Sequence, residues 1–165
     1  MPVPSETEAV SVTDALVPVA GRYLYCVAEV GQQVSLGAIG IAGREVYTIP
    51  YTDLGVVVHD CLAQPYQSAE PEIVQAWVVA HHRVVKEAWQ RWGTVLPVGF
   101  DTIIKAEAGR SAEEQVQEWL HREYAGLKAK LERLRGKEEY GVQVFWDLRV
   151  AVENMTQASP EIRKL

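Results

Sequence analysis

The side chains of this 165-residue chain best suited to metal or nucleophilic chemistry are four histidines and two cysteines, and their spacing limits what they can do. His81 and His82 are adjacent within a stretch of helical periodicity, so their side chains point about 100° apart on a helix. Two histidines share a metal ion readily when they stand i, i+4 on one helix face. One of the pair therefore meets the core or another helix and the other meets solvent. His59 and His121 have no partner at ligand spacing. Cys26 and Cys61 lie in or beside apolar, β-branched segments and lack a Cys-x-x-Cys spacing, so they read as small buried residues.

Two glycine-bearing stretches could suggest phosphate or nucleotide chemistry. Gly136-Lys137 lacks the upstream glycine and following Ser/Thr of a phosphate loop, and it follows a helix pattern rather than opening one. The run from Gly37 through Gly40 to Gly43 has no helical pattern after it and reads as a flexible loop. No Gly-x-Ser-x-Gly or His-Glu-x-x-His occurs. Local patterns thus assemble no set of nucleophile, base and orienting group, and the chain reads as a non-enzyme with no catalytic residue, metal ligand or cofactor site. Of the five tryptophans, Trp77, Trp119 and Trp146 read as core. Trp89 and Trp92, three apart at a helix end, are the candidate interface aromatics.

The elements that must position these groups follow from periodicity. Tyr23-Leu24-Tyr25-Cys26-Val27-Ala28 is a central strand by its aromatic and β-branched content. Glu45–Ile49 and Leu54–His59 form a hairpin split by Pro50 and Asp53. Ile73, Trp77, Ala80, Val84 and Ala88 recur at helical spacing behind Pro71, a first-turn proline, and Gly93 ends that helix. A strand containing Val-Leu-Pro-Val-Gly-Phe-Asp-Thr (residues 95–102) follows and runs to about Lys105, central or nearly so. Ser111 and Glu114 make a capping box for a second helix striped by Val116, Leu120, Tyr124, Leu127, Leu131 and Leu134, stopped by Gly136. Alternation over residues 140–148 predicts a last strand. Strands mixed with two helices predict an α+β fold, a ferredoxin-like variant with a mostly antiparallel sheet and both main helices on one face.

Composition excludes some function classes. A net charge of -6 argues against general nucleic-acid binding and against a polybasic membrane anchor. No apolar run reaches the roughly 18 residues of a membrane span. Residues 1–21 lack a basic n-region and read as a mobile leader, residues 22–150 as the α+β domain, and residues 151–165 as a linker and the start of a further domain, because Ser159-Pro160-Glu161 announces a new helix. Two cysteines and no export signal predict a cytoplasmic protein.

Tyr23 and Tyr25, His81 on its helix with Val84-Val85, residues 95–102 with Leu96, Pro97, Phe100 and Thr102, and Gly136, Lys137, Glu139 and Gly141 ahead of Val144 occur in one order. Together they resemble the gas vesicle protein family GvpF/GvpL over roughly residues 22–149. The family more usually has glycine at the position of Asp101, and aspartate there argues against a positive-φ backbone. The resemblance implies a two-domain protein, an accessory or minor structural protein of gas vesicle assembly located in the cytoplasm with the vesicle shell. Its implied partners are the hydrophobic GvpA-like shell protein and other vesicle accessory proteins, with self-association left open and no cofactor. The alternative from the elements alone is a ferredoxin-like domain that senses a small ligand.

Overall fold

The computed structural model describes residues 20–137, 143 and 145. Most of the expected leader, the strand at 140–148, Glu139, Gly141, Trp146 and the helix start at Ser159 lie outside the described residues.

Six strands form one antiparallel sheet with two long helices, the expected α+β class. The strands are β1 (Gly21–Ala28), β2 (Ser35–Gly37), β3 (Val46–Tyr51), β4 (Leu54–Cys61), β5 (Val95–Pro97) and β6 (Ile103–Lys105). The helices are α1 (Pro71–Trp92) and α2 (Ala112–Leu134). Strand order is β2-β3-β4-β1-β5, with β6 also on β1. The β3–β4 hairpin closes through Tyr51↔Leu54 around Thr52 and Asp53, with Thr52 at φ 50°. Gly31 packs against this turn so closely that a Cβ would lie 2.5 Å from the Thr52 carbonyl oxygen. The 31–43 segment is more ordered than expected, since it contains β2 and a 3₁₀ turn at Ile41–Gly43 whose Ile41 is fully buried.

The inner strands are apolar on both sides, which governs where the helices go. Tyr23, Tyr25 and Val57 pack with Val84 and Ala88 of α1. Leu24, Val27, Val56 and Val58 pack with Val116, Leu120 and Leu131 of α2. Successive strand side chains point to opposite faces, so α1 and α2 cover different faces of the sheet rather than sharing one, as the periodicity of the helices alone suggested. A helix layer on a single face would leave either the Tyr23–Val57 set or the Leu24–Val58 set in water. The alternation shifts at a bulge between Leu24 and Cys26, where β1 carries one residue more than β4. The extra residue keeps Tyr25 and Cys26 together on the α1 face.

Both helices start and stop as their residues dictate. Pro71 opens α1 with Glu72 in the first turn, and Gly93, at φ 78°, returns its N–H to the Trp89 carbonyl at 2.7 Å. Ser111 and Glu114 satisfy one another's backbone N–H groups at the start of α2, the full capping box.

The expected single strand through residues 95–105 is two. β5 pairs with Cys26–Ala28 and β6 with Gly21–Tyr23, at the outermost position of the sheet among the described residues rather than near its centre. Val98 N–H still reaches the Tyr25 carbonyl and Leu24 N–H the Thr102 carbonyl, both at 2.9 Å. Gly99, Phe100 and Asp101 are left to loop away from the ladder. Asp101 turns the chain at φ 63°, so the positive φ that aspartate argued against is present.

Candidate functional site

The residues that could do chemistry converge on the α1 face. Tyr23 and Tyr25 of β1 and His59 of β4 are fully buried, and His81 of α1 is 5 % exposed. Tyr66, from the segment between β4 and α1, and Phe100, from the loop between β5 and β6, pack against the same core. Tyr23 stacks on His59 with ring centroids 4.9 Å apart and meets Tyr66, His81 and Phe100 edge-on.

Buried hydroxyls and ring nitrogens need partners, and here they find one another. The Tyr23 hydroxyl accepts from Asp101 N–H at 3.1 Å and lies 2.9 Å from His81 Nδ1. The Tyr25 hydroxyl accepts from Ile41 N–H at 3.0 Å and lies 2.7 Å from His59 Nδ1. His59 Nε2 is 2.8 Å from the Tyr66 hydroxyl. Each phenol has one proton to place, and only the histidine Nδ1 atoms can take those of Tyr23 and Tyr25. The network therefore assigns both histidines the neutral Nε2–H tautomer, with His59 donating to Tyr66. Tyr66 N–H completes the circuit by donating to the Asp101 carboxylate at 2.9 Å.

Burial holds this network neutral. It pushes the Tyr23 and Tyr66 phenols up to about 12, and Tyr25 higher. His59 is lowered to about 4, first by burial and then by the Arg44 charge, with Asp60 opposing. His81 is lowered by burial and by the neighbouring His82, with the Val98 backbone opposing. The thiols of Cys26 and Cys61 rise to about 12 and about 11 through burial, and both cysteines are free. At neutral pH the three tyrosines and two histidines of the network are uncharged. They can pin segments together by directional hydrogen bonds, which is their evident task.

Residues 95–102 are irregular because of this cluster. Leu96 faces the α2 core opposite Val27, and Pro97 ends β5 opposite Cys26. The Thr102 hydroxyl closes the detour by donating to the Gly99 carbonyl at 2.8 Å. The detour carries the Phe100 ring and the Asp101 amide to Tyr23 and His81. Of the candidate residues, Tyr23, Tyr25, His81 and Phe100 thus meet in one cluster. Gly136 stands past α2 at φ 68°, and Lys137 lines a separate groove. Sequence reasoning missed His59, Tyr66 and the second role of Asp101. The available signal was His59 opposite Tyr23 in an otherwise apolar strand, where a buried polar side chain demands a partner.

Of the adjacent histidines, one of which had to face solvent, His82 is the exposed one and His81 the buried one. Trp89 is 46 % exposed, while Trp92 is partly buried against the α1 core. Trp89 lines an open groove of about 830 Å³ together with Val85, Val95, Pro97, Leu134 and Lys137. Among the described residues no group of three metal-ligating side chains converges, and no helix is long and apolar enough to cross a membrane.

A family model described as "Gas vesicle synthesis protein GvpL/GvpF" matches residues 21–165. The chain is 31% identical over 147 residues to gas vesicle protein L1 of Halobacterium salinarum, covering 88% of this chain and 50% of that protein. It is 33% identical over 114 residues to gas vesicle protein L of Haloferax mediterranei, covering 69% and 34% respectively. The chain thus spans about half, or less, of the length of these relatives. The crystal structures of GvpF from Anabaena sp. PCC7120 and from Microcystis aeruginosa each superpose with a TM-score of 0.69 over 88% of this chain and 56% of theirs, at 21% and 19% identity. At that identity the superposition speaks for the fold.

Proposed function

The chain belongs to the gas vesicle GvpL/GvpF family, and from that premise we propose that it serves gas vesicle formation as a non-enzymatic assembly or minor structural protein. The observation that carries this reading is the family match across residues 21–165. Its working place is the cytoplasm, in association with the growing vesicle. Its principal partner is the hydrophobic shell subunit, with other vesicle accessory proteins as further partners.

Physical chemistry supports such a role. A shell whose inner face excludes water is built from very apolar subunits, which aggregate unless held before assembly. An acidic carrier of net charge -6 stays soluble by self-repulsion while an apolar patch holds the cargo. The groove beside Trp89 is the candidate patch: it combines an exposed indole with Val85, Val95, Pro97 and Leu134. Aromatic residues dominate the energetics of such contacts.

Deletion of the parent gene is expected to abolish or deform vesicles, and intact vesicles of normal number would end the proposal. Affinity capture of the shell subunit by the intact protein tests the partner. Trp89→Glu is expected to weaken capture about tenfold or more, as loss of a central aromatic anchor does. Unchanged capture would move the binding face elsewhere without touching the deletion result.

A further inference from the structure

Residues 62–70 run from β4 to α1 as a strap across the buried Tyr/His network. Residues 62–69 make no backbone–backbone hydrogen bond to the described residues, and Leu62, Gln64, Pro65, Gln67, Ala69 and Glu70 are exposed. One side chain holds the strap down. The Tyr66 ring inserts edge-on to Tyr23 and Trp77, at 5.4 and 5.3 Å. Its hydroxyl takes the proton offered by His59 Nε2, and its own backbone N–H is taken by the Asp101 carboxylate.

The place that Tyr66 fills is therefore a two-point receptor. At its floor a fully buried imidazole offers a single donor, positioned for an aromatic hydroxyl. At its rim a carboxylate accepts a main-chain N–H, and the separation between the two matches one tyrosine residue. Aromatic walls complete it. Phenylalanine would leave the His59 donor unpaired in the core, and a free phenol would leave the Asp101 acceptor unused. Loss of either contact costs recognition.

We propose that this pocket is a site for a tyrosine residue, filled in cis by Tyr66, and that opening of the strap frees it for a tyrosine presented by a partner polypeptide. The inference stands on the geometry beneath the strap and does not depend on the vesicle role. Recognition in trans has the same two contacts as recognition in cis, so the strap acts as an intramolecular competitor. Only a partner that arrives while the strap is open gains entry.

The test uses the intact chain carrying Tyr66→Ala, with N-acetyl-tyrosinamide, p-cresol and N-acetyl-phenylalaninamide as probes and backbone amide shifts and thermal melting as readouts. Saturable binding is expected in that order of strength, with N-acetyl-tyrosinamide raising the melting temperature most. Equal binding of the phenylalanine probe, or no binding of the tyrosine probe to folded protein, would overturn the proposal. Amide exchange decides the matter without the cavity variant. The Tyr66 amide, held by the Asp101 carboxylate, is expected to exchange by local opening, well before the amides of β1 and β4. Asp101→Gly, which suits φ 63° but removes the carboxylate, is expected to accelerate Tyr66 exchange by roughly tenfold or more, the loss of one charge-assisted hydrogen bond. If the Tyr66 amide exchanges only with global unfolding, or if Asp101→Gly leaves its exchange unchanged, the pocket is a fixed piece of core and the proposal fails.

Discussion

The two faces of the sheet are held by different physics. On the α2 side, Leu24, Val27, Ile49, Val56 and Val58 meet Val116, Leu120 and Leu131, an aliphatic layer with no buried polar group among these members. Its polar contacts stand at the rim, where Lys128 Nζ reaches Glu29 and Asp53 at 2.5 Å each, Arg135 joins Glu29, and Tyr124 donates to Asp53. On the α1 side, tyrosines and histidines occupy the interior and satisfy one another. The aliphatic layer tolerates repacking, because nondirectional contacts need only volume and shape. The polar layer specifies positions, because each hydrogen bond fixes one partner and an unmatched one is costly. This is why the irregular chain at residues 98–102 and the strap at 62–70 lie over the polar face.

Truncation should separate the faces most sharply. Leu120→Ala is expected to destabilise by about 3 to 5 kcal/mol, read as a fall in the denaturation midpoint with an unchanged dependence on pH. A pH-dependent loss would show that the faces are not independent.

Acid is expected to act next, and on the α1 face. His59 is lowered to about 4 in the folded protein against an ordinary 6.5, so the unfolded chain binds its proton first. Stability is therefore complete above about 6.5 and falls between about 6.5 and about 4, by about 3 kcal/mol when the shift is fully expressed. Denaturation midpoints across that window should fall in the wild type. In His59→Gln, the part of the slope belonging to this residue should vanish; an unchanged slope would assign it elsewhere.

Tyr25→Phe keeps the ring but strands the Ile41 N–H and removes the donor to His59 Nδ1, so a loss of about 1 to 3 kcal/mol is expected. Amide exchange at Ile41 should rise with it. A neutral result would mean that water replaces the hydroxyl.

The smallest effect belongs to the rim of the α2 face. Asp53 is held down to about 2 by its hydrogen bonds to Lys128 and Tyr124. Its contribution is present above its ordinary 3.8 and is lost as pH falls toward 2, a window below that of His59. Lys128→Met is expected to shift the midpoint less than any change above, and added salt should shrink the difference further.

Much of this was legible before any coordinates. Pro71, Gly93, Ser111 and Glu114 marked the helix ends because capping is local chemistry between residues a few positions apart. The hairpin of β3 and β4 was legible for the same reason. The assignment of both helices to one face was not sound, although its correction lay in the residues: Tyr23 through Ala28 and Leu54 through Val58 are apolar at odd and even positions alike, the pattern of a strand covered twice. Among site residues, the split of His81 and His82 between core and solvent was legible, since adjacent histidines on a helix cannot both face the core, but which of them turns inward was not. His59 and Tyr66 passed unnoticed because they touch Tyr23 and Tyr25 across separations of 34 residues or more, or through an irregular segment.

By itself, the amino-acid sequence determined the element types, the caps, the apolar character of the inner strands and the family. Those depend on spacing along the chain and on composition. Tertiary structure alone decided that β5 and β6 share β1 with a detour between them, that Asp101 turns at positive φ, and that two histidines and three tyrosines close one neutral network. The physical reason is that hydrogen-bond partnership depends on separations of about 3 Å in space, which the order of residues does not encode until the sheet has brought them together.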